Sequence, residues 1–250
     1  MSASAAWERE RVEGESGKAA GQPQRVIYEA TLERIIERAP DTRSLFLRLP
    51  DAQRLAFRPG QFISCMLPIG GETLIRPYSI ASDPEDGELL EICLNLVPGG
   101  PGSHYLFGLG AGAALRFTGP WGTFTLDSQP DAECVFIAEG TGIAPIRPML
   151  KRALARPSEH AVRLHYAARS APHLLYANEL AAAARAGSQF TFTPLLGVAL
   201  AEYIEQRYVT GDNDRSRHFY ICGVGEIVPQ LRDLLRRAGY QRRAVQYEKW

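Results

Sequence analysis

Hydrophobic and polar positions alternate along the first half of the chain, in short stretches separated by glycine- and proline-rich turns. An alternation of period two is typical of strands that have one buried and one exposed face. The stretches that we predict as strands are 26–36, 43–49, 61–68, 74–81, 89–97 and 113–118. Six short strands at this spacing predict a small antiparallel β-barrel, whose mouth can hold a ligand.

Beyond residue 128 the pattern changes to continuous apolar stretches that alternate with segments of helical periodicity. The predicted strands are 134–138, 162–167, 190–195, 219–222 and 244–247. The predicted helices are 144–155, 176–185 and 226–238. This alternation predicts an α/β domain, in which helices cover both faces of a parallel sheet and ligands bind at the carboxyl ends of the strands.

The two patterns divide the 250 residues of the chain into two domains. We place an antiparallel β-barrel domain at residues 25–128 and an α/β parallel-sheet domain at residues 129–250. Residues 1–24 are rich in alanine, serine, glycine and charged side chains. They offer too little apolar surface to compensate for the entropy of ordering, so we expect a mobile tail.

Charge and composition exclude several classes of function. Lysine and arginine number 28, as do aspartate and glutamate, so the net charge of zero predicts no bulk attraction to nucleic acid. No apolar run approaches the roughly 18 residues of a membrane span, and no secretory signal is visible. We therefore expect a cytoplasmic protein. The four cysteines and five histidines lack metal-ligand spacing, so no metal site is predicted.

Residues 76–82 read Arg-Pro-Tyr-Ser-Ile-Ala-Ser and combine a fixed cation, a flat ring and a hydroxyl in one extended segment. Pro77 keeps the local backbone out of the helical region. A planar ligand with a charged tail suits these residues, since its ring could stack on Tyr78, its phosphate could bind Arg76 and its heteroatom could meet Ser79. An ordinary edge strand is the alternative interpretation.

Two glycine-rich turns precede predicted helices. Gly100 and Gly102 lead to Ser103, which is expected to cap a short helix over 103–109. Residues 140–142, Gly-Thr-Gly, follow the first parallel strand. Glycine lets the backbone approach a ligand, and the start of a helix favours a phosphate. Ordinary turns without a ligand are the alternative interpretation of both.

Six sequence blocks together resemble the ferredoxin–NADP reductase family. They occur in that family's order and approximate spacing: FRPGQF at 57–62, RPYSIAS at 76–82, GPGS at 100–103, EGTGIAP at 139–145, YICG at 220–223 and YEKW at 247–250. Each block alone is a modest signal, whereas the combination is specific. The resemblance extends over residues 25–250.

The resemblance implies a barrel domain that binds FAD and an α/β domain that binds NAD(P)H, with hydride passing between nicotinamide and flavin. The residues that it implies for FAD are Arg76, Pro77, Tyr78, Ser79, Cys93, Leu94, Asn95, Leu96, Gly100, Gly102 and Ser103. Those that it implies for the nucleotide are Gly140, Thr141, Gly142, Arg169, Cys222 and Gly223.

Catalytic roles follow from the same resemblance. Ser79 would bond the flavin ring, Cys222 would pack against the nicotinamide, and Glu248 would supply a nearby carboxylate. Trp250 would bind over the flavin as a mobile lid on the face where hydride transfer takes place. A frayed terminus is the alternative interpretation of Trp250.

The preference between NADP and NAD depends on the residues that follow the second strand of the α/β domain. There Arg169 follows two alanines, and no acid is present that would favour a free ribose hydroxyl. Several bacterial members of the family place a phosphate-binding arginine here. We therefore expect NADP, with NAD as the alternative, although the Ser-Arg pair usual after the third strand in NADP-dependent members is missing.

The electron acceptor must be a separate molecule, because the chain lacks closely spaced thiolates for an iron–sulfur cluster. The resemblance implies ferredoxin or flavodoxin as the partner of a monomeric reductase. Arginines 43, 48, 54 and 58 could steer an acidic carrier, or could form an ordinary solvated face. Two alternatives to a ferredoxin (flavodoxin)–NADP reductase are the NADH-dependent reductase component of an oxygenase or other multi-component system, and a non-catalytic flavin-binding subunit or sensor.

Overall fold

The computed structural model describes residues 26–50, 54–86, 88–126, 131–155, 159–187 and 189–250. The predicted tail at 1–24 lies outside these residues. The first half forms six antiparallel strands: β1 (Ile27–Ala39), β2 (Thr42–Arg48), β3 (Phe62–Ile69), β4 (Glu72–Ser79), β5 (Leu89–Asn95) and β6 (Ala114–Trp121). Their order in the sheet is β4-β3-β6-β1-β2-β5. An antiparallel bridge between Ile80 and Ile92 joins the two edges, which closes the predicted barrel.

The barrel interior is built from the alternate positions that the sequence pattern indicates. In β3, Ile63, Cys65 and Leu67 are fully buried, whereas the residues between them are partly exposed. Successive side chains of a strand point to opposite faces, so one face of β3 fills the core. A short helix, α1 (Pro101–Phe107), follows β5 and packs against β3.

The second half forms a parallel sheet of five strands: β7 (Cys134–Glu139), β8 (Val162–Ala168), β9 (Phe190–Leu196), β10 (His218–Gly223) and β11 (Val245–Lys249). Their order is β11-β10-β7-β8-β9. The chain proceeds outward from β7 to β9 and then returns to place β10 on the other side of β7. Ligands of open α/β sheets bind at such a reversal, outside the carboxyl ends of the strands.

Helices cover both faces of the parallel sheet, as the sequence predicts. Helices α2 (Ile143–Leu154) and α3 (Ala177–Ala186) pack on one face, and α4 (Leu200–Tyr208) and α5 (Ile227–Arg237) pack on the other. Helix α4 has no counterpart among the helices predicted from the sequence. Within the described ranges, no helix is long and apolar enough to cross a membrane.

A buried carboxylate, Glu91 of β5, joins the two halves of the molecule. Only 2% of Glu91 is exposed. Its Oε1 accepts hydrogen bonds from Arg38 (2.9 Å), Ser44 (2.5 Å) and Tyr176 (2.8 Å). Its Oε2 accepts from Arg147 of α2 at 3.0 Å. A buried charge is tolerated only when it is paired and hydrogen-bonded in this way.

Arg147 extends this network across the contact between barrel and α/β half. It donates to the carbonyl oxygen of Ala81 at 2.7 Å and binds the carboxylate of Glu179 through two nitrogens. The guanidinium also lies 4.6 Å from the ring centre of Tyr176. The network therefore fixes helix α2, which follows the glycine turn, against strand β5 of the barrel.

Candidate active site

A cavity of about 340 Å³ lies where the barrel meets the parallel sheet. The ends of β4 and β5 and the start of α1 contribute Arg76, Pro77, Tyr78, Ser79, Cys93, Leu94, Asn95, Val97, Gly100, Pro101, Gly102 and Ser103. The α/β half contributes Thr141, Ala144, Val224 and Trp250. The cavity therefore brings both glycine turns together with the Arg-Pro-Tyr-Ser segment.

The end of strand β4 supplies a cation, a ring and a hydroxyl to the wall. Arg76 is exposed and donates to the carbonyl oxygen of Ile75 at 2.8 Å. Tyr78 is half-buried, and burial raises the pKa of its hydroxyl to about 12, so this group stays neutral. Ser79 is buried, with 7% of its surface exposed. These residues offer a planar ligand a neutral ring and offer its anionic tail a guanidinium.

The start of α1 approaches β4 closely because residue 102 is glycine. A Cβ atom at Gly102 would lie 3.0 Å from Cγ of Arg76 and 3.4 Å from the hydroxyl of Tyr78. The predicted cap at Ser103 is wrong, because the helix begins at Pro101 and the residue before it is Gly100. The Ser103 hydroxyl instead closes the preceding turn, accepting from the Val97 amide and donating to the Gly100 carbonyl, both at 3.0 Å.

The second glycine turn follows β7 and packs against the end of β10, at the point where the sheet order reverses. A Cβ atom at Gly142 would lie 2.2 Å from the carbonyl oxygen of Cys222, so glycine is required for this contact. Gly140 has a φ of 55°, in the left-handed region that favours glycine. The hydroxyl of Tyr166 lies 2.9 Å from the carbonyl oxygen of Gly140. The turn is thus held by β8 on one side and β10 on the other.

Two predicted catalytic residues, Cys222 and Glu248, lie behind the cavity wall, next to Trp250, which lines the cavity. Cys222 of β10 and Glu248 of β11 are partners in the parallel pairing. Burial, and secondarily the Glu248 carboxylate, raise the pKa of the Cys222 thiol, which is therefore neutral. Burial raises the pKa of Glu248 to about 7. In the described part of the chain, Glu248 Oε2 and Trp250 Nε1 are buried without a hydrogen-bond partner.

Trp250 is anchored rather than frayed. Its backbone amide donates to Gly223 at 3.2 Å, and its carbonyl accepts from Gly225 at 3.3 Å. Its ring meets the ring of Phe62 edge-on, with 5.6 Å between centres. Because Phe62 belongs to the barrel, the indole lies across the junction of the two halves.

The cavity collects most, though not all, of the predicted site residues. Those outside its lining are Leu96, Gly140, Gly142, Arg169, Cys222, Gly223 and Glu248. Lining residues that the sequence motifs missed are Val97, Pro101, Ala144 and Val224. Each missed residue lies within two positions of a predicted one, so extension of the motifs along the chain could have found them.

Arg169, the predicted phosphate ligand, lies apart from the cavity and is paired. Its Nη2 lies 2.6 Å from Oδ2 of Asp41 and also contacts the ring nitrogen of His173. Asp41 belongs to the turn between β1 and β2 of the barrel. No local sequence pattern could place this acid beside Arg169, because the two residues are 128 positions apart.

The shape and donors of the cavity fit a dinucleotide with a flat ring. Tyr78 and Arg76 line the cavity with a ring and a cation, which suit a flat ring and a phosphate, and Gly102 leaves room that a Cβ atom would fill. The residues present are therefore chemically suited to FAD.

Comparison with known proteins extends this fit to the whole chain. Residues 29–126 match the oxidoreductase FAD-binding domain model, and residues 136–233 match the oxidoreductase NAD-binding domain model. Ferredoxin–NADP reductase B of Sorangium cellulosum is 32% identical over 237 residues, which are 89% of this chain and 97% of that protein. The chain belongs to the ferredoxin–NADP reductase family.

One further relative and one solved structure are also similar to this chain. The reductase subunit of an aromatic O-demethylase from Amycolatopsis is 36% identical over 172 residues, 67% of this chain but only half of that protein. The ferredoxin–NADP⁺ reductase of Neisseria gonorrhoeae, solved with FAD and NADP, superposes with a TM-score of 0.78 at 22% identity, covering 89% of this chain and 98% of that one. The reductase is an FAD- and NAD(P)-binding oxidoreductase with the two-domain fold of that structure.

Proposed function

We propose that this reductase moves electrons between NADPH and a separate ferredoxin or flavodoxin by way of bound FAD. The observation that carries the proposal is the cavity at the junction of the two halves. It places Tyr78 and Ser79 of the barrel beside Thr141 and Trp250 of the α/β half. Two planar ligands that must meet ring to ring would be oriented at such a junction.

The barrel residues would hold FAD. Tyr78 would stack on the ring system, Arg76 would bind the phosphates, and the Ser79 hydroxyl would bond the edge of the ring. The close approach of α1 at Gly102 brings backbone amides to the pyrophosphate. FAD, when bound, accepts two electrons at once and releases them singly, as a one-electron carrier requires.

The α/β residues would hold the pyridine nucleotide at the reversal between β7 and β10. Residues Gly140–Gly142 receive the pyrophosphate, and Cys222 and Gly223 border the nicotinamide. The neutral Cys222 thiol supplies a small, polarizable surface. Glu248, whose pKa is about 7, holds or releases a proton beside it near neutral pH. Trp250 would cover the ring face of FAD and would give way to the nicotinamide.

The carrier would approach over the barrel, although Arg43 and Arg48, which were proposed to steer it, are paired with carboxylates. Arg43 lies 2.6 Å from Glu37, and Arg48 contacts both Glu33 and Glu88. Their charges are locally balanced, so Arg54, which is exposed, is the stronger candidate. We further propose that the reductase is a cytoplasmic monomer. We also propose that it binds no nucleic acid, which the balanced overall charge supports.

A second candidate is an NADH-dependent reductase component of an oxygenase system. The similarity to the Amycolatopsis O-demethylase reductase subunit favours it. The pairing of Arg169 with Asp41 also favours it, because the Asp41 carboxylate competes with a phosphate for this arginine.

Anaerobic titration of the flavin-loaded protein with NADPH and with NADH tests the proposal. We expect NADPH to bleach the flavin absorbance stoichiometrically, followed by cytochrome reduction that depends on added ferredoxin or flavodoxin. Bleaching by NADH alone would favour the second candidate. A protein that stays yellow with both nucleotides would be a flavin-binding subunit without turnover, and one that binds no flavin would refute the proposal.

A further inference from the structure

Arg169 and Asp41 meet at the edge of the sheet where the nucleotide ribose is expected. Arg169 follows β8 directly, and β8 pairs with β7 up to Glu139, the residue before the glycine turn. The hydroxyl of Tyr166 lies 2.9 Å from Gly140 O and 3.4 Å from His173 O, which ties the segment after Arg169 to that turn. The guanidinium therefore belongs to the same edge as the pyrophosphate site.

Asp41 is held in place rather than loosely paired. Its backbone carbonyl accepts from the Leu96 amide at 2.7 Å, and its Oδ1 accepts from the Thr42 hydroxyl at 3.2 Å. Oδ1 also lies 3.3 Å from Nε2 of His173. Burial raises the pKa of Asp41, but the hydrogen bond and charge of Arg169 outweigh this and leave the pKa lowered. The barrel thus presents a fixed carboxylate to the α/β half.

The chemistry of this pair resembles that of an occupied phosphate site. Arginine binds carboxylate and phosphate oxygens through the same fork of N–H groups. Dinucleotide folds choose between NAD and NADP at the end of this strand, by an acid that accepts from the ribose 2′-hydroxyl or an arginine that takes the 2′-phosphate. Here the arginine comes from the α/β half and the acid from the barrel.

We propose that Asp41 is a specificity-determining residue, which occupies Arg169 in the manner of a 2′-phosphate and so opposes the binding of phosphorylated nucleotide. To bind Arg169, a 2′-phosphate must displace the Asp41 carboxylate, and it then lies beside that negative charge. A free 2′-hydroxyl can instead donate a hydrogen bond to Asp41. The inference rests on the proposed function, in which the reductase uses NADPH, and on the sequence-based expectation that Arg169 binds the 2′-phosphate. The preference for NADP over NAD would then depend on two side chains with opposite effects: Arg169 of the α/β half favours the 2′-phosphate, and Asp41 of the barrel disfavours it.

Calorimetric binding of 2′-phospho-AMP and of AMP to the flavin-loaded protein tests this inference without turnover. Asp41→Asn should bind 2′-phospho-AMP about 5-fold more tightly while the affinity for AMP stays level or falls, since an exposed ion pair contributes at most about this factor. Arg169→Gln should weaken 2′-phospho-AMP binding by about 10-fold or more. In the Asp41→Asn/Arg169→Gln double variant, the gain from the Asp41 change should disappear.

Two control variants separate the local contact from net charge and from folding. Glu33→Gln removes a carboxylate from another arginine pair in the same hairpin, Glu33–Arg48, and should leave both affinities unchanged. Asp41→Glu keeps the charge and should retain the wild-type ratio. Equal gains from Glu33→Gln and Asp41→Asn, or a gain that persists without Arg169, would overturn the inference.

Failure of the inference and failure of the proposed function give different results. If NADPH bleaches the flavin but Asp41→Asn leaves the ratio of 2′-phospho-AMP to AMP affinity unchanged, the proposed function holds and the inference is wrong. A protein whose flavin neither nucleotide bleaches loses the function, and the calorimetric ratio still shows whether Asp41 opposes the phosphate.

Discussion

Glu248 shows at the scale of one residue how burial prepares a group for use near neutral pH. Its carboxyl is buried beside the Cys222 thiol, and within the described chain its Oε2 has no partner. Burial disfavours the charged form, which is why the pKa rises to about 7 from an ordinary 4.5. The group therefore changes charge in the pH range where the reductase is expected to work.

Glu248→Gln should change how stability depends on pH. Because its folded-state pKa is raised, the folded protein binds more protons than the unfolded one, and stability is lost as pH rises from about 4.5 through 7. Glutamine carries no charge at any pH and does not show this loss. Above pH 8 the free energy of unfolding of the variant should therefore exceed that of the unaltered protein by about 2–3 kcal/mol. Urea denaturation at pH 5.5 and 8.5 measures the difference. Glu226→Gln, at an exposed carboxylate paired with Lys249, should show no such pH dependence.

Trp250→Ala should expose the ring face of the flavin to the nicotinamide. We expect a stronger long-wavelength charge-transfer band when NADP⁺ or NAD⁺ is added to reduced protein, and a smaller ratio between the two nucleotides in kcat/KM. Trp250→Phe keeps a ring against Phe62 and should restore most of the original behaviour. An unchanged band together with unchanged kinetics would show that the indole does not cover this face.

At the scale of the element, Gly142 determines how closely β7 and β10 approach at their carboxyl ends. The neighbouring atom is a backbone carbonyl oxygen, which cannot move aside as a flexible side chain would. Any side chain at residue 142 must therefore push the turn away from β10. This contact links the predicted pyrophosphate turn to the strand that carries Cys222.

Gly142→Ala should destabilise the protein by about 3 kcal/mol, the scale of an overpacked core site, and should weaken NADP⁺ binding. Gly187→Ala is the matched control in the same half, because a Cβ there would have no atom within 4 Å and its φ of −134° suits alanine. Denaturation midpoints and calorimetric affinities provide the comparison. A Gly142→Ala protein as stable as Gly187→Ala would contradict the proposed close contact.

The elements themselves were predictable where the pattern is local. The alternation in β3 and the apolar run of β7 follow from period and burial, and both were found near the predicted places. Helix α4 was missed because only Leu200, Ile204 and Tyr208 are buried, one side chain per turn, within an otherwise polar segment. Its packing surface is supplied by α5 and the sheet, which are distant in sequence.

The candidate site shows the same limit. Tyr78 and Thr141 could be predicted because each belongs to a short motif whose neighbours carry the signal. The partner of Arg169 could not, because Asp41 becomes its neighbour only when the two halves dock. The Glu91 network was likewise invisible, since it joins residues 85 and 56 positions apart.

At the scale of the molecule, the Glu91 network controls how the FAD-binding half sits against the nucleotide-binding half. The strand of Glu91 continues to Cys93 in the cavity wall, and the helix of Arg147 begins directly after the glycine turn. A change in this network should therefore alter both stability and the alignment of the two bound rings.

Arg147→Gln should cost about 3 kcal/mol of stability, because it leaves the Glu91 carboxylate buried with one partner fewer. Lys151→Gln is the control one turn later on α2, where the pair with Asp86 is partly exposed and should contribute below about 1 kcal/mol. Denaturation followed by flavin fluorescence gives the stabilities, and stopped-flow bleaching by NADPH gives the alignment. Equal losses in the two variants would argue against a special role for the buried pair.

The way the barrel closes has a consequence for its dynamics. Among the described residues outside the regular ladders, the bridge between Ile80 and Ile92 is the single backbone pairing that joins the edges β4 and β5, and both edges line the cavity. The seam between β4 and β5 therefore has the weakest backbone pairing in the barrel, and a cofactor bound there would span it. Amide hydrogen exchange along this seam should therefore slow sharply when flavin binds, while the remaining ladders exchange at nearly the same rate with and without it.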